Sequence, residues 1–291
     1  MTGPSSGAVG SVHIWKAAFF STCHASAQDV LDGRERPFTP PAYGLLVGRA
    51  RRFTSLVTQM HVEVCGALQP EAQRALAVFA TCHGEIQTCE RLIADFRDTS
   101  MVSSARFALS VHNTPSGVYS VATGSTAPTT TITGANAIAA GWLEAALIAL
   151  EAERPVLLSI ADEPVPPVFR GPTEPVGFAA AFLLAAAPGA AGPGCTAELA
   201  IAACGDAPEE DLAIDPTGGS APRPAGGAVG VPTRLLAAID PLHVRARTAG
   251  ACARRAPATI ALGAIQPGAM LELRIGPPGP PAHRAPEEAR A

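Results

Sequence analysis

The stretch TITGANAIAAG, at positions 131–141, has the pattern of a buried strand that bends into a helix. Catalytic proteins often carry a nucleophile at such a bend, because the helix N-terminus and its N–H groups favour an anionic side chain there. Here the bend carries Asn136, and the amide of asparagine cannot form a thioester. The sequence therefore predicts the architecture of a nucleophile bend without its reactive residue.

A second group of reactive residue types, Cys82, His83 and Glu85, lies within four residues at the end of an apolar run. Its spacing matches no zinc-binding pattern, so we interpret it as the polar end of a strand. A Cys82 thiol activated by His83 remains an alternative. Neighbours in a strand rarely form such a pair, because successive side chains point to opposite faces.

The residues His112, Asn113 and Gly117 follow an apolar segment that we interpret as a strand. One interpretation is a hydrogen-bonded loop in which Asn113 and Gly117 favour the turn. The other is a binding or interface role, and the sequence leaves both open. Motifs of other chemistries are missing: no GxxxxGK[ST] or HExxH motif occurs, no GxSxG elbow joins a predicted strand to a helix, and no GxGxxG follows a strand. We expect no metal and no cofactor.

Hydrophobic periodicity predicts the elements that position these residues. Strands are predicted at 11–20, 127–133, 155–163 and 270–275, and the segment 75–85 is predicted to be a buried strand that opens into a loop. Helices are predicted at 49–68, 86–96 and 134–153. The order of strand, helix and strand from 127 to 163, with an almost wholly apolar second strand, predicts a parallel unit in an α/β layered domain. The apolar segments 176–187 and 197–204 fit two strands, or a strand and a helix.

We assign one domain to residues 11–275, between a disordered N-terminus at 1–10 and a disordered tail at 276–291. The Pro- and Gly-rich segment 205–232 is predicted to be a mobile loop within this domain.

The composition limits the classes of function. A chain of 291 residues with 47% hydrophobic residues is long enough for a globular core. A net charge of −4, with 16% charged residues, predicts no nucleic-acid partner. Seven cysteines without a CxxC spacing favour a reduced, cytoplasmic protein. The start lacks a signal pattern, and the longest apolar run, 177–192, is too short for a membrane span.

Four segments in the same order, HGEI, SVHNTPSGVYSVATG, APTTTITGANAIAAG and VLLSIADEP, resemble the ketosynthase side of the thiolase-like superfamily. They are most similar to the short β-ketoacyl synthase chain length factors that accompany aryl polyene and other fatty-acid-like pathways. The resemblance is clearest over residues 83–163. It implies a thiolase-like layered α/β/α domain, incomplete relative to a full ketosynthase, with a buried helix after the elbow strand.

The resemblance also implies what the residues do. Active condensing enzymes carry their cysteine nucleophile at the start of the buried helix, where this chain has Asn136. They draw further histidines, or a histidine and an asparagine, from their C-terminal half, where this chain offers only His243 and His283, neither in a matching motif. These departures predict a non-catalytic subunit. The implied partners are an active β-ketoacyl synthase and an acyl carrier protein.

In this superfamily the strand before the nucleophile forms much of the dimer interface, along which the acyl tunnel runs. The resemblance therefore implies a catalytically inactive subunit that sets the length of the acyl chain in aryl polyene or fatty-acid/polyketide-type elongation. The implied acyl-site or interface residues are His112, Asn113, Gly117, Thr129, Thr131, Thr133, Gly134 and Asn136. The alternatives are an acyl transferase or ketosynthase that uses Cys82 with His83, and a stand-alone acyl-binding module.

Overall fold

The computed structural model describes residues 7–42, 44–169, 176–186, 195–203, 258–266 and 269–276. The predicted mobile loop at 205–232, the predicted tail from residue 277, His243 and His283 lie outside these residues. The strands are β1 (Gly7–Ser21), β2 (Leu76–Thr81), β3 (Thr129–Thr133), β4 (Val156–Asp162), β5 (Phe178–Ala185), β6 (Cys195–Ala203), β7 (Ala258–Gln266) and β8 (Ala269–Gly276). The α-helices are α1 (Ala27–Leu31), α2 (Arg49–Phe53), α3 (Leu56–Gly66), α4 (Ile86–Thr99), α5 (Ser104–Phe107), α6 (Thr114–Thr123) and α7 (Ala137–Ala152). Short 3-10 helices span Glu71–Arg74 and Pro167–Phe169.

The described strands form one mixed sheet in the order β3-β2-β4-β5-β1-β6-β8-β7. β2 pairs in parallel with β3 on one side and with β4 on the other. The remaining neighbours in the sheet are antiparallel. The predicted parallel unit from 127 to 163 is therefore confirmed, with β2 lying between its two strands.

Helices cover both faces of this sheet. On one face α7 packs into a core that includes Trp142 and Phe182, whose ring centroids are 5.0 Å apart. On the other face α3 and α6 pack against β2, where the Phe79 ring contacts both His61 and Tyr119. All seven residues of β4 are buried, because this strand is covered on both faces. The predicted layered α/β/α architecture is confirmed.

The ends of the domain differ from the prediction. The disorder predicted for residues 7–10 is wrong, because β1 begins at Gly7 and its first residues pair with β6. Gly276, assigned to the tail, ends β8 and pairs with Thr196. The segment 176–187 contains β5, and residues 197–203 of the second segment belong to β6, so both segments form strands rather than a strand and a helix.

Two local predictions in the first half are also wrong. The predicted helix 49–68 is divided at Thr54, and Ser55 begins α3 as its N-cap by accepting a hydrogen bond from the Thr58 N–H. The segment before His112 is not a strand. It contains α5, where the Ser103 hydroxyl accepts a hydrogen bond from the Arg106 N–H and caps a helical turn.

Gly141 lets α7 approach the sheet closely. A Cβ atom at this position would lie 2.8 Å from the Ala80 Cβ on β2 and 3.4 Å from the Leu158 Cδ1 on β4. We expect Gly141→Ala to lower the free energy of unfolding by about 1–3 kcal/mol, because overpacking outweighs the gain in helix propensity. Urea unfolding measures this change.

Gly117 provides the matched control for this substitution. It lies inside α6, and a Cβ atom there would meet no heavy atom within 4 Å. Gly117→Ala should therefore raise the free energy of unfolding by about 0.5–1 kcal/mol. Equal stabilisation by Gly141→Ala would contradict the close packing of α7 on the sheet.

Candidate functional site

The carboxyl ends of β2, β3 and β4 meet at one edge of the sheet, because these three strands are parallel. The strands end at Thr81, Thr133 and Asp162. The crevice outside the carboxyl ends of parallel strands is the usual place for ligands in open α/β sheets. This edge contains Cys82, His83 and the bend after β3, and it is the candidate functional site.

The bend between β3 and α7 is present as the sequence predicts. Gly134 has a φ of +113°, a conformation that glycine adopts readily, and its carbonyl accepts a hydrogen bond from the Ala137 N–H at 3.0 Å. Asn136 is the exposed N-cap of α7, and its side chain makes no capping hydrogen bond. The amide is therefore presented at the helix N-terminus, where an anionic side chain would be favoured.

Strand β3 forms one end of the described sheet. Thr129 and Thr133 are exposed on it, whereas Thr131 is half-buried and donates a hydrogen bond from Oγ1 to the Ser116 Oγ at 3.3 Å. Ser116 belongs to the first turn of α6. The structure thus brings the threonines of β3 next to the N-terminus of α6.

Asn113 is the N-cap residue of α6, and its carbonyl accepts hydrogen bonds from the Ser116 hydroxyl and the Gly117 N–H. The turn role predicted for Gly117 is wrong, because the residue lies within the helix. His112 is exposed, and a Cβ atom on Gly84 would lie 3.9 Å from the His112 Cα. The loop after β2 and the N-terminus of α6 are therefore neighbours.

Asp162 organises the loop after β2. Its carboxylate accepts hydrogen bonds from the Thr81 hydroxyl at 2.8 Å, the Cys82 N–H at 3.0 Å and the His83 N–H at 2.9 Å. The His83 Nδ1 lies 3.5 Å from the same carboxylate. Burial alone would raise the pKa of Asp162, but the hydrogen bonds from His83 and Cys82 outweigh it and hold this pKa below its ordinary value. Asp162 is therefore a buried, ionised acceptor.

The same environment makes Cys82 a poor nucleophile. Burial first, and then the negative charge of Asp162, raise the pKa of its thiol. We expect iodoacetamide at about pH 8 to modify Cys82 about 100-fold more slowly in the native protein than in the denatured chain, because the thiolate is the reactive form. Mass spectrometry of the Cys82 peptide measures both rates. Fast modification of the native protein would instead support the displaced nucleophile.

Two further buried carboxylates, Glu85 and Glu163, lie beside this loop, each only 2% exposed. Glu163 accepts hydrogen bonds from the Gln87 N–H at 2.8 Å and the Val57 N–H at 3.3 Å. Glu85 accepts hydrogen bonds from the hydroxyls of Thr58 at 2.6 Å and Thr88 at 3.2 Å.

Sequence reasoning weighed Glu85 as a metal ligand, interpreted it instead as part of the polar end of a strand, and missed Glu163. Within the described part of the chain, no group of three or more metal-ligating side chains is assembled. Burial, and then the charge of Glu85, raise the pKa of Glu163 to about 7. The signal available in the sequence was the pair of acids, Asp162 and Glu163, at the end of an almost wholly apolar run.

Residues 32–215 match the family model for the β-ketoacyl synthase N-terminal domain. Because the match covers more than half of the chain, this protein belongs to that family. A comparison with curated proteins found no match.

The structural comparison finds solved structures that are similar to this chain. A chain from the complex of the ketosynthase ApeO with its chain length factor ApeC, from Xenorhabdus doucetiae, has a TM-score of 0.61 and 16% identity, over 90% of this chain and 98% of that chain. The AntDE:AntF complex, a type II PKS acyl-carrier protein with its ketosynthase, gives a TM-score of 0.47 at 12% identity, over 60% of this chain and 62% of that chain. A β-ketoacyl synthase from Burkholderia phymatum gives 0.44 at 10% identity, over 61% and 59%.

The first of these similarities shows the shared, thiolase-like fold, which agrees with the resemblance seen in the sequence. None of the helices in the described ranges has the length and apolar character to span a bilayer.

Proposed function

We propose that this protein is a non-catalytic, cytoplasmic subunit of the chain length factor type, which pairs with an active β-ketoacyl synthase in aryl polyene or fatty-acid/polyketide-type elongation. The observation that carries the proposal is Asn136 at the N-terminus of α7. Acyl transfer by this family needs a thiol at that point, and an amide cannot accept the acyl chain. The nearby Cys82 thiol is half-buried, and burial together with the charge of Asp162 raises its pKa, which disfavours the reactive thiolate.

The outer edge of β3 supports an association through this strand. The Pro128 carbonyl accepts a hydrogen bond from the Ala77 N–H of β2. Backbone groups alternate in direction along a strand, so the N–H and C=O groups of Thr129, Thr131 and Thr133 point away from β2. No strand of the described sheet lies beyond them. Such an edge is a template for pairing with a strand of another chain.

Exposed apolar side chains on α4 and α5 give further support for a partner. Ile93 and Phe96 on α4 are each 60% exposed, and Phe107 on α5 is 61% exposed. An ion pair between Arg106 and Asp95 connects the two helices at the surface. Large apolar side chains grouped on a surface are typical of protein contacts.

The acyl side of the proposed interface would include the residues implied by the family resemblance. The contacts of Thr131 with Ser116, of Asn113 with the first turn of α6, and of His112 with the loop at Gly84 support a shared surface. Asn136 and Gly134 lie at the end of the same strand. We propose that these residues face the growing acyl chain of the partner rather than react with it.

Co-expression with candidate ketosynthases from the same genome tests this function. Pull-down followed by native mass spectrometry should give a stable heteromer, and added acyl carrier protein should bind to it. The isolated chain should show no condensing and no malonyl-decarboxylating activity, and measured turnover would contradict the proposal. An isolated chain that retains bound lipid and binds none of the ketosynthases would indicate a stand-alone acyl-binding module.

A further inference from the structure

The last residue of β4 and the two residues after it hold the loop after β2 and the start of α4. Asp162 accepts from the backbone N–H groups of Cys82 and His83, and Glu163 accepts from the Gln87 N–H. The Pro164 carbonyl accepts from the Gln87 side-chain amide at 2.9 Å. We call this set of contacts, together with Glu85, the acidic clasp. It fixes the N-terminus of α4 to the end of β4.

Glu163 also connects α4 with α3. One carboxylate oxygen accepts from Gln87, the second residue of α4, and the other accepts from Val57, the second residue of α3. A carboxylate in these positions satisfies N–H groups that lack partners within their helices. It also interacts favourably with both helix dipoles. The orientation of two helices therefore depends on one buried side chain.

The charges that face Glu163 do not balance it. The negative charge of Glu85 disfavours ionisation of Glu163, and the positive charge of Arg91 opposes this effect more weakly. Cys89, on α4, also lies in the field of both glutamates, and Asp162 with His83 forms the other end of the clasp. Two buried carboxylates next to each other cannot both ionise without cost.

We propose that the Glu85–Glu163 pair is a pH-sensitive clasp, which is closed while the pair retains a proton and loosens the N-terminus of α4 and the loop after β2 when both carboxylates ionise. The loop that would loosen lies against His112 at the candidate site. The inference does not depend on the identity of any partner.

The direction of the pH effect follows from the pKa of Glu163. Its pKa is raised from an ordinary 4.5 to about 7 in the folded protein. A group with a raised pKa contributes stability that is fully present below the ordinary pKa and is lost as the pH rises through the folded one. The clasp therefore weakens between pH 4.5 and about 7, and it does not recover at higher pH.

Hydrogen exchange of the purified full chain tests the proposal. After correction for intrinsic rates, the opening constant of the Val57 and Gln87 amides should rise by about 10- to 100-fold from about pH 5 to about pH 8. Glu163→Gln removes the titrating group, so its opening constant should be higher at about pH 5 and should not change with pH. If the opening constants of these two amides in the unmodified protein do not change with pH, the proposal is overturned.

Glu85→Gln is the variant that keeps the fold intact. A glutamine at this position can accept from the Thr58 hydroxyl and donate to the Thr88 hydroxyl, so both contacts of Glu85 are preserved. Loss of its charge should reduce the pH-dependent rise to a few-fold, because burial still acts on Glu163. If the opening constants of Glu85→Gln rise with pH as much as those of the unmodified protein, the charge of Glu85 does not act on Glu163. The proposed pair is then refuted.

His83 is the control for a different titration. Histidine also changes charge in this pH range, and its ring lies 3.5 Å from Asp162. His83→Gln should leave the rise at the Val57 and Gln87 amides unchanged. If this variant flattens the profile, the histidine and not the glutamate pair is the sensor, and the proposal fails.

Discussion

Replacing Asp162 by alanine is expected to lower the free energy of unfolding by about 3–5 kcal/mol, among the largest effects of any single substitution in this chain. The substitution removes the common acceptor of the Thr81 hydroxyl and of the Cys82 and His83 N–H groups. Buried donors without an acceptor are costly. Urea unfolding measures the loss, and Asp162→Asn, which keeps one acceptor oxygen, should fall between alanine and the unmodified protein.

Asp98 provides the matched control, because it is also an aspartate with a basic partner but lies on the surface. It is 60% exposed in its ion pair with Arg97, so Asp98→Ala should leave the free energy of unfolding almost unchanged, because solvent screens an exposed ion pair. Both substitutions replace an aspartate by alanine, so each removes one carboxylate group. Similar losses for both would contradict the organising role of Asp162.

Acid unfolding should also distinguish the two acids of the clasp. Hydrogen bonds hold the pKa of Asp162 below its ordinary 3.8, so its contribution is present above that value and is lost only as the pH falls below it. The contribution of the Glu85–Glu163 pair changes in the opposite direction and near neutral pH. The clasp is therefore held by one acid that stays ionised, Asp162, and by a pair that is most stable while it retains one proton.

The parallel part of the fold was predictable because its strands are buried on both faces. The run at 155–163 is almost wholly apolar up to Ala161, and the structure forms β4 there with every residue buried. The segment before His112 was misread because its apolar residues, Phe107 and Val111, are exposed rather than buried. Periodicity reports burial, so it fails where apolar residues face solvent or a partner.

The acidic clasp could not be predicted from the sequence, because its partners are far apart in the chain. Val57 and Glu163 are separated by 106 residues, and Gln87 and Glu163 by 76. Pairing of this kind depends on the order of the strands, in which β2 lies between β3 and β4. The bend at Asn136, by contrast, is local, since it needs only a strand, a glycine and a helix in sequence.

Replacing Thr131 by proline is expected to weaken the association with a ketosynthase by about 100-fold or more while the domain stays folded. The Thr131 N–H points away from β2, so its loss removes no hydrogen bond between β2 and β3. Proline would instead remove a donor from the outer edge, and its ring would occupy the space of an incoming strand. Native mass spectrometry of the co-expressed pair measures the loss of the heteromer.

Thr131→Val is the control that separates the backbone from the side chain. Valine keeps the N–H group but loses the hydrogen bond from the threonine hydroxyl to Ser116, so stability should fall by about 1 kcal/mol and association should remain. Circular dichroism of both variants must first show the same folded state. If the folded proline variant still forms the heteromer, pairing through the outer edge of β3 is excluded, and the exposed apolar side chains of α4 and α5 become the surface to mutate next.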